Sequence, residues 1–163
     1  MTVQVLSHIG ICVADLAASA RFYCEGLGFR QLHSLDVQGP EAARLLGLES
    51  VQLEALYLER DGTRIELLHF IEPGVAQRGD SERSAPRPMN RPGLTHLSLR
   101  SDDLERDLDH LEALGGELLP ETRVDHPGFD AHVAFLVDPD GTRIELVQMP
   151  GNPRQLPGAP VTK

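Results

Sequence analysis

One heptapeptide occurs twice in this chain of 163 residues. Asp61-Gly62-Thr63-Arg64-Ile65-Glu66-Leu67 returns unchanged as Asp140-Gly141-Thr142-Arg143-Ile144-Glu145-Leu146, 79 positions later. A looser echo precedes each copy at a spacing of 88: Leu6-Ser7-His8-Ile9 against Leu94-Thr95-His96-Leu97, Asp15-Leu16 against Asp103-Leu104, and Gly28 against Gly116. Self-similarity over this length means one supersecondary unit used twice, which constrains the fold more tightly than any local propensity. The two spacings differ by nine, so the first copy holds nine extra residues between its His and its Glu. Gly39 to Ser50, with the helix-compatible run Glu41 to Leu46, is where they fit.

Each copy has the same local grammar. An alternating strand (Val3 to Val13; Thr95 to Arg100) runs into an Asp placed to cap a helix. Leu16, Ser19, Ala20, Tyr23 and Leu27 in the first copy recur at helical spacing, as do Leu104, Leu108, Leu111 and Leu114 in the second, giving one apolar face each. Gly28 and Gly115-Gly116 stop these helices. Apolar strand-like runs follow and end in a hairpin whose turn is Asp61-Gly62 or Asp140-Gly141. The unit therefore reads β-α-β-β-β, twice, in the α+β class. The first unit covers 1–71 and the second 94–149. Residues 72–93, with Pro73, Pro86, Pro88 and Pro92, read as a linker or a mobile flap, and the Pro-rich tail 150–163 as extended chain.

Composition narrows the possible partners. There are 25 acidic against 15 basic side chains, a net charge of −10, with no Trp and 4% aromatics. Such a chain lacks the basic field and stacking surfaces that hold nucleic acid. No apolar run approaches the roughly 20 residues that cross a bilayer, and no basic patch leads into one at the N-terminus. The chain reads as soluble and cytoplasmic, with no membrane partner. Cys12 and Cys24 form no C-x-x-C pair and read as buried free thiols.

Four polar residues stand where apolar ones belong. Glu66 and Glu145 lie inside strands that otherwise read as buried, and His8 and His96 lie in similarly apolar first strands. An ionised carboxylate removed from water must protonate, pair with a cation or bind a metal. If the inner faces of the two units meet, they bring together two imidazoles and two carboxylates. That donor set suits a divalent first-row metal, Zn, Ni, Co, Mn or Fe(II), with up to two positions left for substrate. The alternative is that each Glu faces solvent beside Arg64 or Arg143 and each His is an ordinary core residue.

The run His8-Ile9-Gly10-Ile11-Cys12-Val13-Ala14-Asp15-Leu16, then Phe22-Tyr23-Cys24-Glu25-Gly26-Leu27-Gly28-Phe29, then Asp138-Pro139-Asp140-Gly141-Thr142-Arg143-Ile144-Glu145-Leu146 resembles the vicinal oxygen chelate superfamily. This group is also called the glyoxalase, bleomycin-resistance and extradiol dioxygenase superfamily. The resemblance implies paired βαβββ units curving into an open barrel-like mixed sheet with a metal-binding cleft. It puts the four ligand positions on His8, Glu66, His96 and Glu145. A metal there can chelate two neighbouring substrate oxygens and stabilise the enediolate left when a proton is removed beside a carbonyl. The ligand set is most similar to the glyoxalase I branch, in which a ligand Glu also serves as the base. That role falls on Glu145 or Glu66.

The chain departs from the glutathione-using branch at two positions: Cys12 stands where an Arg often meets the glutathione carboxylate, and Phe70 where Asn is usual. The methylmalonyl-CoA epimerase branch is also similar but usually has Gln at the position of Glu66. An Fe(II) extradiol dioxygenase would use His8, His96 and Glu145, with His132 as a neighbouring acid/base, and Glu66 speaks against it. A binding protein of the resistance type usually lacks the ligand set. His33, His69 and His110 read as surface or core residues, and His126-Pro127-Gly128-Phe129 as a loop. Arg21 falls on the first helix, and Arg64 and Arg143 share a strand face with the Glu residues two positions away. The expected assembly is a homodimer whose small-molecule site draws on one chain or two.

Overall fold

The computed structural model describes residues 2–75 and 87–155. The elements are β1 (Ile9–Cys12), α1 (Leu16–Arg21), β2 (Arg30–Gln38), α2 (Pro40–Leu46), β3 (Gln52–Arg60), β4 (Thr63–Glu72), β5 (Leu97–Ser101), α3 (Leu104–Ala113), β6 (Glu117–His126), β7 (Ala131–Val137) and β8 (Arg143–Gln148). They form two compact units. Each is an open four-stranded mixed sheet, in the order β1-β4-β3-β2 in one and β5-β8-β7-β6 in the other. The first strand of each unit runs parallel to the last, and the other pairs are antiparallel. The duplicated α+β architecture expected from the repeat is thus present, with α2 as the insertion in the first unit.

In the first unit, Asp15 caps α1 by accepting the Ala18 N–H at 2.9 Å. The helix runs on into a wide turn in which Leu27 N–H reaches back five residues to Phe22 O. That turn seats Phe22 and Tyr23 in full burial. The left-handed Gly28 ends it. The period-two rule then sorts the strands. Ile11, Val13, Ile65 and Leu67 are buried on the face that α1 covers. Gly10, Cys12, Glu66, Leu68 and Phe70 share the other face. There Ala43 of α2 packs with Val51, Leu53 and Ala55, flanked by Tyr57, Leu68 and Phe70.

In the second unit, Asp103 caps α3 at the Arg106 N–H. Leu104, Leu108 and Leu111 form its buried stripe. Gly115 and Gly116 close it with paired bonds to Glu112 O and Leu111 O, a Schellman ending.

Several local expectations change. The first strand is shorter than Val3 to Val13: β1 starts at Ile9, opposite Ile65. Its partner β4 begins at Thr63, so residues before Ser7 have no strand to pair with, and Val3, Val5 and Leu6 are exposed. The identical Asp-Gly sequences also make different turns. Asp61 and Gly62 both have positive φ and form a two-residue hairpin turn between Arg60 and Thr63. Before Asp140-Gly141, the pair Asp138-Pro139 opens a longer loop, in which Asp138 Oδ1 accepts the N–H groups of Asp140 and Thr142 at 3.0 and 2.6 Å. Finally, Cys12 is exposed and Cys24 half-buried, so neither is the buried thiol that its apolar neighbours suggest.

Glu72, placed in the linker by its neighbouring Pro73, is the last residue of β4. Between Arg87 and Leu94 the chain is held by the Arg87 guanidinium, which donates to Pro92 O and Leu94 O. The beginning of the tail is turned and not extended: Gln155 N–H bonds Asn152 O, and Arg100 donates to Met149 O and Gln155 O. Linker residues 76–86 and tail residues 156–163 lie outside the described residues. No helix among the described residues is long and apolar enough to cross a membrane.

Candidate functional site

Each unit brings one His and one Glu of the expected set together. His8 immediately precedes β1, and Glu66 lies opposite Gly10 on β4. The His8 Nε2 is 3.1 Å from Glu66 Oε2. The other ring nitrogen is engaged as well: Nδ1 is hydrogen-bonded to the neighbouring Ser7 hydroxyl at 3.1 Å. Glu66 is only 13% exposed, which removes the reading of a solvent-facing carboxylate paired with Arg64. Tyr57 lies directly across the β3–β4 ladder from Glu66. Its hydroxyl donates to the Glu66 carboxylate, and that bond, with burial second, pushes the phenol up to about 12.

The second unit repeats the arrangement with different supports. The His96 Nε2 lies 3.7 Å from Glu145 Oε2, and Nδ1 is hydrogen-bonded to the Thr95 hydroxyl at 2.9 Å. Phe135 stands across from Glu145, where the first unit has Tyr57. Both rings present the same edge-on contact to the adjacent imidazole, at 5.3 Å and 84° for His8 and 5.3 Å and 86° for His96. Phe135 has no hydroxyl to offer. Ser98, across β5 from Glu145, donates to that carboxylate at 2.5 Å instead. The equivalent position in the first unit is Gly10, across from Glu66.

Imidazole nitrogens and carboxylate oxygens are donors that a divalent first-row ion accepts. Two ligands at right angles on a metal about 2.1 Å away are about 3.0 Å apart, and about 3.4 Å at the tetrahedral angle. The His8–Glu66 separation lies in that range, and the His96–Glu145 pair is slightly wider. A hydroxyl on each Nδ1 holds the ring with Nε2 facing its carboxylate, the role played by outer partners of metal-binding histidines. Within either unit, no third His, Cys, Asp or Glu joins the pair to make a three-ligand cluster among the described residues.

The remaining sequence candidates separate cleanly. His33 is a surface residue whose ring stacks on Tyr57 at 4.8 Å and 17°. His132 falls at an even position of β7, on the opposite face from Phe135 and Glu145. It pairs with Asp125 at 2.6 Å, so it cannot act beside the His96–Glu145 pair. His69 is on the α1 face, with Nδ1 3.3 Å from Val13 O. His110 is exposed on α3, and His126 packs against Phe129 in the β6–β7 turn. Arg21 pairs with Glu25 on the outside of α1.

Tyr57 and Ser98 were not evident as site residues from the sequence. Tyr57 is recoverable from it: a two-residue turn at Asp61-Gly62 pairs 60 with 63 and therefore 57 with 66. Ser98 carries no such signal, because its contact depends on the parallel register of β5 and β8.

The family model described as the glyoxalase, bleomycin resistance protein and dioxygenase superfamily matches residues 5–146. The chain belongs to this superfamily. Among superfamily relatives, it is 29% identical over 147 residues to a protein named probable lactoylglutathione lyase from Synechocystis sp., covering 88% of this chain and 94% of that protein. A crystal structure of a glyoxalase family protein from Bacillus cereus superposes with a TM-score of 0.74 at 24% identity, covering 93% and 99% of the two chains. The fosfomycin resistance protein FosX from Listeria monocytogenes, crystallised with Mn(II) and sulfate, shares the fold with a TM-score of 0.55 at 17% identity, over 94% and 98%.

Proposed function

We propose that this superfamily member is a divalent-metal-dependent lyase or isomerase of the glyoxalase I type, acting on a small molecule with two adjacent oxygens. The observation that carries this reading is the His–Glu pair found once in each unit at equivalent positions, with Nε2 facing the carboxylate and Nδ1 held by a hydroxyl. In this reading His8, Glu66, His96 and Glu145 serve one ion of Zn, Ni, Co, Mn or Fe(II), contributed by one chain or by two chains of a cytoplasmic homodimer. The name of the Synechocystis relative and the Mn(II) bound to FosX support lyase chemistry and a divalent ion.

When bound, such an ion supplies Lewis acidity toward the two substrate oxygens. The chain's own residues do the rest. Glu66 or Glu145 takes the proton beside the carbonyl on a carboxylate oxygen and returns it to the neighbouring carbon. The Ser7 and Thr95 hydroxyls keep the imidazoles in place while this happens. Cys12, Leu68 and Phe70 share the face of Glu66, the last two packed against the α2 cluster. Cys12 and Phe70 stand where the glutathione-using branch carries Arg and Asn, which favours an acyl or hydroxy-ketone substrate over a glutathione adduct. The dioxygenase alternative loses its acid/base, because His132 is on the wrong face.

The test is solvent exchange of the proton beside the carbonyl of an α-hydroxy-ketone or acyl-CoA, followed by NMR in heavy water under argon. Metal-dependent exchange, lost in Glu66→Gln or Glu145→Gln, is the expected result. Oxygen uptake with catechols and no exchange would transfer the chain to the dioxygenase class. Neither activity would leave a binding protein.

A further inference from the structure

We infer that Tyr57 is a positioning residue for the first unit's pair, combining in one side chain two tasks that the second unit divides between Phe135 and Ser98. The inference rests on the metal-site reading above. Tyr57 touches both members of its pair: its ring meets His8 edge-on and its hydroxyl donates to Glu66. In the second unit, Phe135 makes the same ring contact to His96, and Ser98, on a different strand, makes the hydroxyl contact to Glu145.

The exchange is reciprocal in the strand registers. Tyr57 and Phe135 face the two Glu residues from the antiparallel side, and Gly10 and Ser98 face them from the parallel side. Each Glu therefore receives a hydroxyl donor, Glu66 from the antiparallel side and Glu145 from the parallel side. A carboxylate on a half-buried strand retains several rotamers, and a donor on one oxygen selects among them. His33, stacked on Tyr57, fixes the ring from which that donor projects.

The relocation gives a rescue test. Tyr57→Phe keeps the ring contact to His8 and removes the hydroxyl. Gly10→Ser then reinstates a hydroxyl at the position Ser98 occupies in the other unit. There is room for it: a Cβ at Gly10 meets Leu68 Cδ1 at 3.4 Å, an ordinary contact, and Gly10 is not among the glycines with positive φ.

The readout is the affinity of metal-free protein for Zn(II) or Mn(II) alone, by competition with a chromophoric chelator, with circular dichroism confirming the fold of each variant. Loss of a partner of this kind typically weakens metal binding about 10- to 100-fold. Tyr57→Phe is expected to show that loss, and Tyr57→Phe with Gly10→Ser to recover most of it. Ser98→Ala with Phe135→Tyr is the mirror experiment and stands in if Tyr57→Phe does not fold. Equal affinity in wild type and Tyr57→Phe would overturn the inference. A loss that Gly10→Ser leaves uncorrected would show that a hydroxyl on the parallel side cannot replace that of Tyr57, and would overturn the equivalence drawn with Ser98. Wild-type protein that binds no ion would instead overturn the metal-site reading.

Discussion

Replacing Asp138 with Ala should destabilise the second unit far more than any comparable change at the first unit's turn. The Asp138 side chain is 2% exposed, and one of its oxygens accepts the N–H groups of both Asp140 and Thr142. Removing it leaves two donors of a tight loop without an acceptor. A hydrogen bond to a charged group contributes about 1.5–3 kcal/mol, and water recovers part of that at a half-exposed loop, so the net cost is about 3 kcal/mol. With a urea slope of about 2 kcal/mol/M, the midpoint should fall by about 1.5 M. Far-UV circular dichroism follows it directly, and Asp138→Asn should recover more than half. At the first turn, Glu59 accepts the Gly62 N–H at 2.8 Å from an exposed strand end. There the positive φ angles of Asp61 and Gly62 already set the bend, so Glu59→Ala should barely move the midpoint. If Asp138→Ala shifted it no more than Glu59→Ala, the strands and not the aspartate would be holding the second loop.

Tyr57 in metal-free protein should ionise near 12, seen as a 295 nm absorbance change in wild type minus Tyr57→Phe. Glu66→Gln should bring it back toward 10. Because the folded-state value is raised, the stabilisation this bond contributes is complete below the unfolded value near 10 and disappears as pH rises through about 12. Asp103→Ala removes the acceptor of the Arg106 N–H at the start of α3 and should cost about 1 kcal/mol, measurable by the same urea titration.

The duplicated heptapeptide made the architecture legible, because it fixed where both final strands and both carboxylates fall. Helix limits were legible too, through Asp15 and Asp103 as caps and Gly28 and Gly115-Gly116 as stops. What the sequence could not show depended on partners distant in the chain. Residues 3–7 alternate as a strand does, yet a strand also needs a neighbour, and β4 starts too late to be one. The Asp-Gly pairs are identical, but their turns are decided by the residues before them, where Asp138-Pro139 withholds an N–H and adds a buried acceptor. Ser98 and His33 join the site only through sheet register and ring stacking, neither of which has a local pattern. His132 has the chemistry of a site residue and the wrong strand parity.

The proposal that His8, Glu66, His96 and Glu145 serve one ion is tested by the metal content per chain of protein purified without added metal. One divalent ion per chain is expected, lost on either Glu66→Gln or Glu145→Gln. Two ions per chain, each variant losing only one, would show two independent sites. No ion in the wild type, or equal binding in all three proteins, would contradict the ligand assignment itself.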